Sequence, residues 1–138
     1  MGIYEGSLPW EHAKGRCILI AEDNEINAEI MTIQLEDFGL KVDLAGNGQE
    51  AVDKFMGSAE NEYALVIMDI MMPVMDGHEA TEHIRNSGRL DSNLPIIAIT
   101  ANTFDAEEII SSGEMNSCIT KPYNKRELYQ AIIELIGE

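Results

Sequence analysis

The chain has 138 residues, 45% of them hydrophobic and 25% charged, the size and composition of one domain with a core large enough to need no staples. Nine basic residues against 25 acidic ones, a net charge of −16, exclude a nucleic-acid surface, which needs clustered Lys and Arg; the excess acid serves solubility or suits Mg²⁺ and a basic partner face. No apolar run approaches the ~18 residues of a membrane helix and no start reads as a signal peptide, so a cytoplasmic domain without direct membrane contact is expected; Cys17 and Cys118, which match no CxxC pattern, are read as reduced core thiols.

Residues 1–15, MGIYEGSLPWEHAKG, show neither helical nor strand periodicity, and are expected to be a lead-in or interdomain linker whose Trp10 docks on the domain that follows. From Cys17 the chain alternates. CILIAE is an apolar strand, and NEINAEIMTIQLEDF carries Ile26, Ile30 and Ile33 together with Met31, Leu35 and Phe38 at spacings of three and four, a broad helical face that Gly39 ends. LKVDLA alternates as a half-buried strand does. NGQEAVDKFM opens with Asn47 and Glu50 at capping-box spacing, with Ala51, Val52, Phe55 and Met56 turned inward. ALVIMD is the third strand, and DGHEATEHIRNSG the third helix, with Asp76 and Glu79 repeating that spacing. LPIIAIT is the fourth strand, DAEEIISSG a short, weakly apolar helix, and NSCITKP holds the fifth strand. The last helix starts at Asn124, has Glu127 three residues later, and carries Leu128, Ala131, Ile132, Leu135 and Ile136 as one stripe.

Five strands alternating with five helices predict a single doubly wound α/β domain, a parallel sheet covered on both faces, because right-handed crossovers put helices there. Ligands then bind at the carboxyl ends of the strands. The third strand runs apolar into Asp69, and a charge inside a strand buried on both faces is costly unless paired, so Asp69 is expected at the strand's end, facing a cleft. Glu22 and Asp23 end the first strand, Thr100 the fourth and Lys121 the fifth. Three acids gathered at one edge repel unless a cation joins them, and Mg²⁺ with oxygen ligands brings the three carboxylates and one ammonium to neutrality. One carboxylate is then able to act as a nucleophile, since Asp forms acyl phosphates, while Mg²⁺ and Lys121 neutralise phosphoryl oxygens and the Thr100 hydroxyl donates to them.

In order and spacing, ILIAEDN, VIMDIMMPVMDG, IIAITAN and ITKPY resemble the four signatures of receiver domains of two-component response regulators, over about residues 16–138. The wording around Asp69 is most similar to receivers fused to hybrid sensor histidine kinases. The resemblance implies a flavodoxin-like sheet of order 2-1-3-4-5. It makes Asp69 the phosphoacceptor, Asp23, Asp69 and the Met71 backbone carbonyl the Mg²⁺ ligands, and Glu22 an acid acting through a bound water. It makes Thr100 the switch hydroxyl and Lys121 the phosphate-contacting lysine, with a cis bond to Pro122. It further implies a histidine kinase or histidine phosphotransfer protein as partner, and a weak dimer through the fourth helix, fifth strand and fifth helix. Cys118 stands where many receivers carry the aromatic that swings inward on activation, and Met71 and Asn102 flank the route of an attacking water.

Taken singly, the same residues have plainer uses. Asp69 suits a turn or N-cap, Glu22 and Asp23 suit caps of the first helix, and Lys121 suits a solvated position before a turn proline. A haloacid-dehalogenase-like phosphatase also uses Asp, Mg²⁺ and Lys at a parallel sheet, but requires a second Asp two positions on, where this chain has Met71. A non-phosphorylated interaction module keeps the fold alone. His12, His78 and His83 have no acidic cluster around them and read as solvated; Met68, Met71, Met72 and Met75 read as core filling rather than a copper site, and GNGQE as a turn.

Overall fold

A computed structural model describes residues 15–136; all of the expected lead-in 1–15 except Gly15, with Trp10 and His12, lies outside the described residues. The elements run β1 (Cys17–Ala21), α1 (Glu25–Asp37), β2 (Lys41–Ala45), α2 (Gly48–Gly57), β3 (Tyr63–Asp69), α3 (Gly77–Arg85), β4 (Ile96–Thr100), α4 (Thr103–Ser112), β5 (Ser117–Thr120) and α5 (Lys125–Ile136). All pairings are parallel and the sheet order is β2-β1-β3-β4-β5, as expected.

The strand pattern explains the layering. Every residue of β3 and β4 is buried, which requires cover on both faces, whereas the edge strand β2 does not show the expected alternation and buries only Ala45 fully. Along β1 and β3, Leu19, Ala21, Val66 and Met68 face one core with Phe55, Ile84 and Ile109 of α2, α3 and α4. Their neighbours Ile18, Ile20, Leu65 and Ile67 face the other, with Met31 and Leu35 of α1 and Leu128 and Ile132 of α5. The two-residue period of a strand thus supplies both cores from one sequence.

The helix starts follow the capping side chains. Asn47, Asp76 and Asn124 accept from the N–H groups of Glu50 (2.8 Å), Glu79 (2.9 Å) and Glu127 (2.9 Å), and Asn24 does the same for Asn27 at 3.0 Å. Each such cap is worth about 1 kcal/mol. The α4 helix begins two residues earlier than expected because Asn102 caps it, accepting from Phe104 N–H at 2.8 Å. The α3 helix stops at Arg85, short of the expected Gly88.

Four expectations about packing are corrected. Only one stripe of α1, Ala28, Met31 and Leu35, is buried; Ile26, Ile30 and Ile33 are 69, 49 and 54% exposed. Both stripes are apolar, so periodicity alone could not say which one meets the sheet. Met56 lies exposed on α2, one residue past the buried Phe55, and Met71 is exposed rather than core filling. His78 and His83 are exposed, as read. Cys17 and Cys118 are free thiols, half-buried against the α2–α4 core rather than fully within it, and burial raises the pKa of both.

Candidate functional site: an acidic hollow at the carboxyl edge

Parallel strands deliver their last residues to one edge, and that edge collects the predicted set. Asp69 closes β3 and Thr100 closes β4; Glu22 and Asp23 follow β1, and Lys121 follows β5 with a cis bond to Pro122. Glu22, Asp69 and Thr100 are buried, 6, 5 and 2% exposed, while Asp23 is open to solvent. One carboxylate oxygen from each of Glu22, Asp23 and Asp69 lies within 4.8 Å of the others. The Lys121 ammonium sits 3.3 Å from Asp69 Oδ2 and 3.6 Å from Glu22 Oε1.

This proximity has an electrostatic cost. Burial, and then its contact with Asp69, pushes the Glu22 carboxyl from 4.5 up to about 7, against the opposing pull of the Asn24 N–H and the Lys121 charge. One lysine therefore does not compensate three acids. The oxygen spacing is close to the span of a single Mg²⁺ coordination shell, about 4 Å across, and an all-oxygen donor set of this charge is what a hard dication selects, so the residues fit the ion.

The sequence reading missed how these side chains are aimed. At the ends of β1, β3 and β4 the amide two residues on donates back to the functional side chain: Asn24 N–H to Glu22 Oε2 (3.2 Å), Met71 N–H to Asp69 Oδ1 (3.0 Å), and Asn102 N–H to Thr100 Oγ1 (3.2 Å). The only signal for this in the sequence is that each turn begins with a polar residue. Thr100 therefore stands at the edge with its hydroxyl oxygen held by Asn102, while the four charged groups meet directly. The Met71 amide places that residue's backbone beside the hollow. Glycine permits the crowding: a Cβ at Gly77, the first residue of α3, would come within 2.5 Å of the Asp69 carbonyl oxygen.

Fold and site together define a doubly wound α/β domain with a cation-binding acidic hollow at its sheet edge. Residues 18–133 match the model of the response regulator receiver domain, and the chain belongs to that family, the phosphoacceptor domains of two-component signalling. It is 39% identical over 123 residues to two-component system protein A of Emericella nidulans, covering 87% of this chain and 17% of that protein. It is 40% identical over 119 residues to hybrid signal transduction histidine kinase G of Dictyostelium discoideum, covering 83% and 3%. Among solved structures it resembles the receiver domain of sensor histidine kinase PA1611 from Pseudomonas aeruginosa, which has a magnesium ion coordinated in its active site cleft. There the TM-score is 0.79 at 32% identity, covering 90% of this chain and 99% of that one. The chain spans less than a fifth of the length of the curated relatives it matches.

Proposed function

We propose that Asp69 accepts a phosphoryl group from a phosphohistidine on a histidine kinase or histidine phosphotransfer protein, as one step of a phosphorelay. The observation that carries this reading is the meeting of Glu22, Asp23, Asp69 and Lys121 within a few ångströms at the open edge of the sheet. An Asp69 carboxylate oxygen forms the new bond to phosphorus as the P–N bond breaks, and the electron pair stays on the departing imidazole nitrogen. Lys121 stabilises the phosphoryl oxygens, and Thr100 supplies a hydroxyl donor once it turns from its own backbone. Asp23, Asp69 and the Met71 carbonyl would hold Mg²⁺, with Glu22 behind a bound water; when bound, the ion neutralises charge on the transferring group. We take residues 16–138 as the receiver unit and 1–15 as its lead-in, in a cytoplasmic setting; no helix among the described residues is long and apolar enough to cross a membrane.

The exposed row Ile26, Ile30 and Ile33 supports α1 as the partner-facing side. It borders a groove of about 420 Å³ that contains Glu22, Ile30, Lys121, Pro122 and Tyr123, so a protein lying on that row reaches the acidic hollow. A weak dimer through α4, β5 and α5 remains part of the proposal. The test is intact mass after incubation with Mg²⁺ and phosphoramidate: one phosphoryl adduct is expected on the wild type and none on Asp69→Asn. An adduct of equal yield on the variant would move the acceptor elsewhere.

A further inference from the structure

The chain enters the domain at a fixed point of the amino edge. Gly15 N–H donates to the Gly39 carbonyl at 2.6 Å and Lys41 N–H to the Arg16 carbonyl at 2.9 Å, so the lead-in meets the domain beside Phe38, the residue that caps α1. Gly15 lies in a turn at φ 82°, a value open to glycine, and the lead-in therefore does not prolong the line of β1.

Next to that entry α1 and α5 leave a groove of about 560 Å³. Its wall is aromatic: the Phe38 and Tyr129 rings stack with centroids 4.3 Å apart and planes 11° from parallel. The Tyr129 hydroxyl donates to the Gln34 carbonyl at 2.7 Å, so its polar end is satisfied and the ring offers apolar surface. Half-buried Ile133 extends that surface along α5. The two ends of the groove carry opposite charge. Because α5 runs from the carboxyl edge back to the amino edge, Glu134 stands at the end nearer Gly15, and Lys125 and Arg126 stand at the far end. Among the described residues neither of these cations forms an ion pair.

The lead-in sequence has the complementary order. Outward from Gly15 it presents Lys14, then Glu11 and Trp10, then Glu5. Trp10 precedes Gly15 by five residues, a reach of up to about 17 Å in extended chain. The stretch of α5 from Ile133 back to Lys125 spans about 12 Å, so the segment is long enough to follow it.

We infer that the lead-in folds back along this groove as a strap, with Trp10 laid on the Phe38–Tyr129 face, Lys14 toward Glu134, and Glu11 and Glu5 toward Arg126 and Lys125. The inference stands apart from the phosphoryl chemistry of the hollow. Trp10 is the single tryptophan of the chain, so its fluorescence reports this contact alone. In the intact chain its emission is expected at shorter wavelength than in the urea-unfolded chain, and shielded from acrylamide. Ile133→Asp within the groove is expected to return the emission to the unfolded value. Arg126→Glu, an exposed change that leaves the packing alone, is expected to return it part of the way, with circular dichroism unchanged. Leu90→Asp, at an exposed apolar residue between α3 and β4, is expected to leave the emission where it was. Wild-type emission equal to that of the unfolded chain would overturn the inference. So would a short-wavelength emission that survives either groove variant in a folded chain or is lost in Leu90→Asp, which would seat the indole elsewhere. One that fades on dilution would seat it on a second copy and overturn the strap equally.

Discussion

The two ends of the sheet both bury charge, and they do so in opposite ways. At the amino edge, Arg85 donates to the carbonyls of Glu114, Ser92 and Leu94 and to the Asn116 amide oxygen, at 2.8 to 3.1 Å. Beside it, Arg89 pairs with Asp91 and reaches the carbonyls of Phe55, Met56 and Ser58 that end α2, its guanidinium 4.6 Å from the Phe55 ring. Both guanidiniums there have an opposite charge or a fan of carbonyls. At the carboxyl edge three carboxylates crowd one lysine. The first arrangement is complete without a ligand and serves stability; the second is incomplete by design of its charges, and an incomplete site is where a ligand gains most.

Substitutions at each end should therefore have opposite signs. Removing the guanidinium with Arg85→Ala leaves four acceptors without their donor and is expected to cost about 3 kcal/mol in chemical denaturation, while the phosphoryl adduct on Asp69 still forms under folding conditions. A stability loss under 1 kcal/mol would show that water replaces the guanidinium there as well as at any surface site.

At the other end Glu22→Gln should stabilise the metal-free protein. Because the folded chain holds the Glu22 proton more tightly than the unfolded one, that favourable contribution is fully present below pH 4.5 and is lost as pH rises to about 7. The wild type should thus lose stability across this window relative to Glu22→Gln, by roughly 2 kcal/mol at pH 8 once solvent screening is allowed for. Parallel stability curves for the two proteins would show that Glu22 is not held against the field of its neighbours.

The carboxyl edge was the more legible end, for a physical reason. A strand buried on both faces admits a charge only where it stops, so Asp69 and Thr100 could be placed from the apolar runs before them, and the parallel topology then brought Glu22, Asp23 and Lys121 beside them. The amino edge gave no comparable signal: Arg85 ends α3 and Arg89 sits in the loop after it, and a guanidinium that fans onto carbonyls distant in sequence leaves no periodic trace. The α1 helix failed differently. Two apolar stripes on adjacent faces satisfy the same spacing rule, and only the sheet's position decides that Met31 and Leu35 go inward while Ile26, Ile30 and Ile33 stay outside. Val74, at φ 69°, runs against residue preference altogether, which no pattern in the sequence signals.

The unbalanced charge of the hollow is tested most directly by calorimetric titration of Mg²⁺ into the wild type at pH 6 and pH 8, with Asp23→Asn alongside. One site is expected, tighter at pH 8 and releasing a proton at pH 6 as Glu22 gives up its own, with binding lost or severely weakened in Asp23→Asn. Heat that does not saturate, or an affinity that neither pH nor the Asp23 carboxylate alters, would contradict the account.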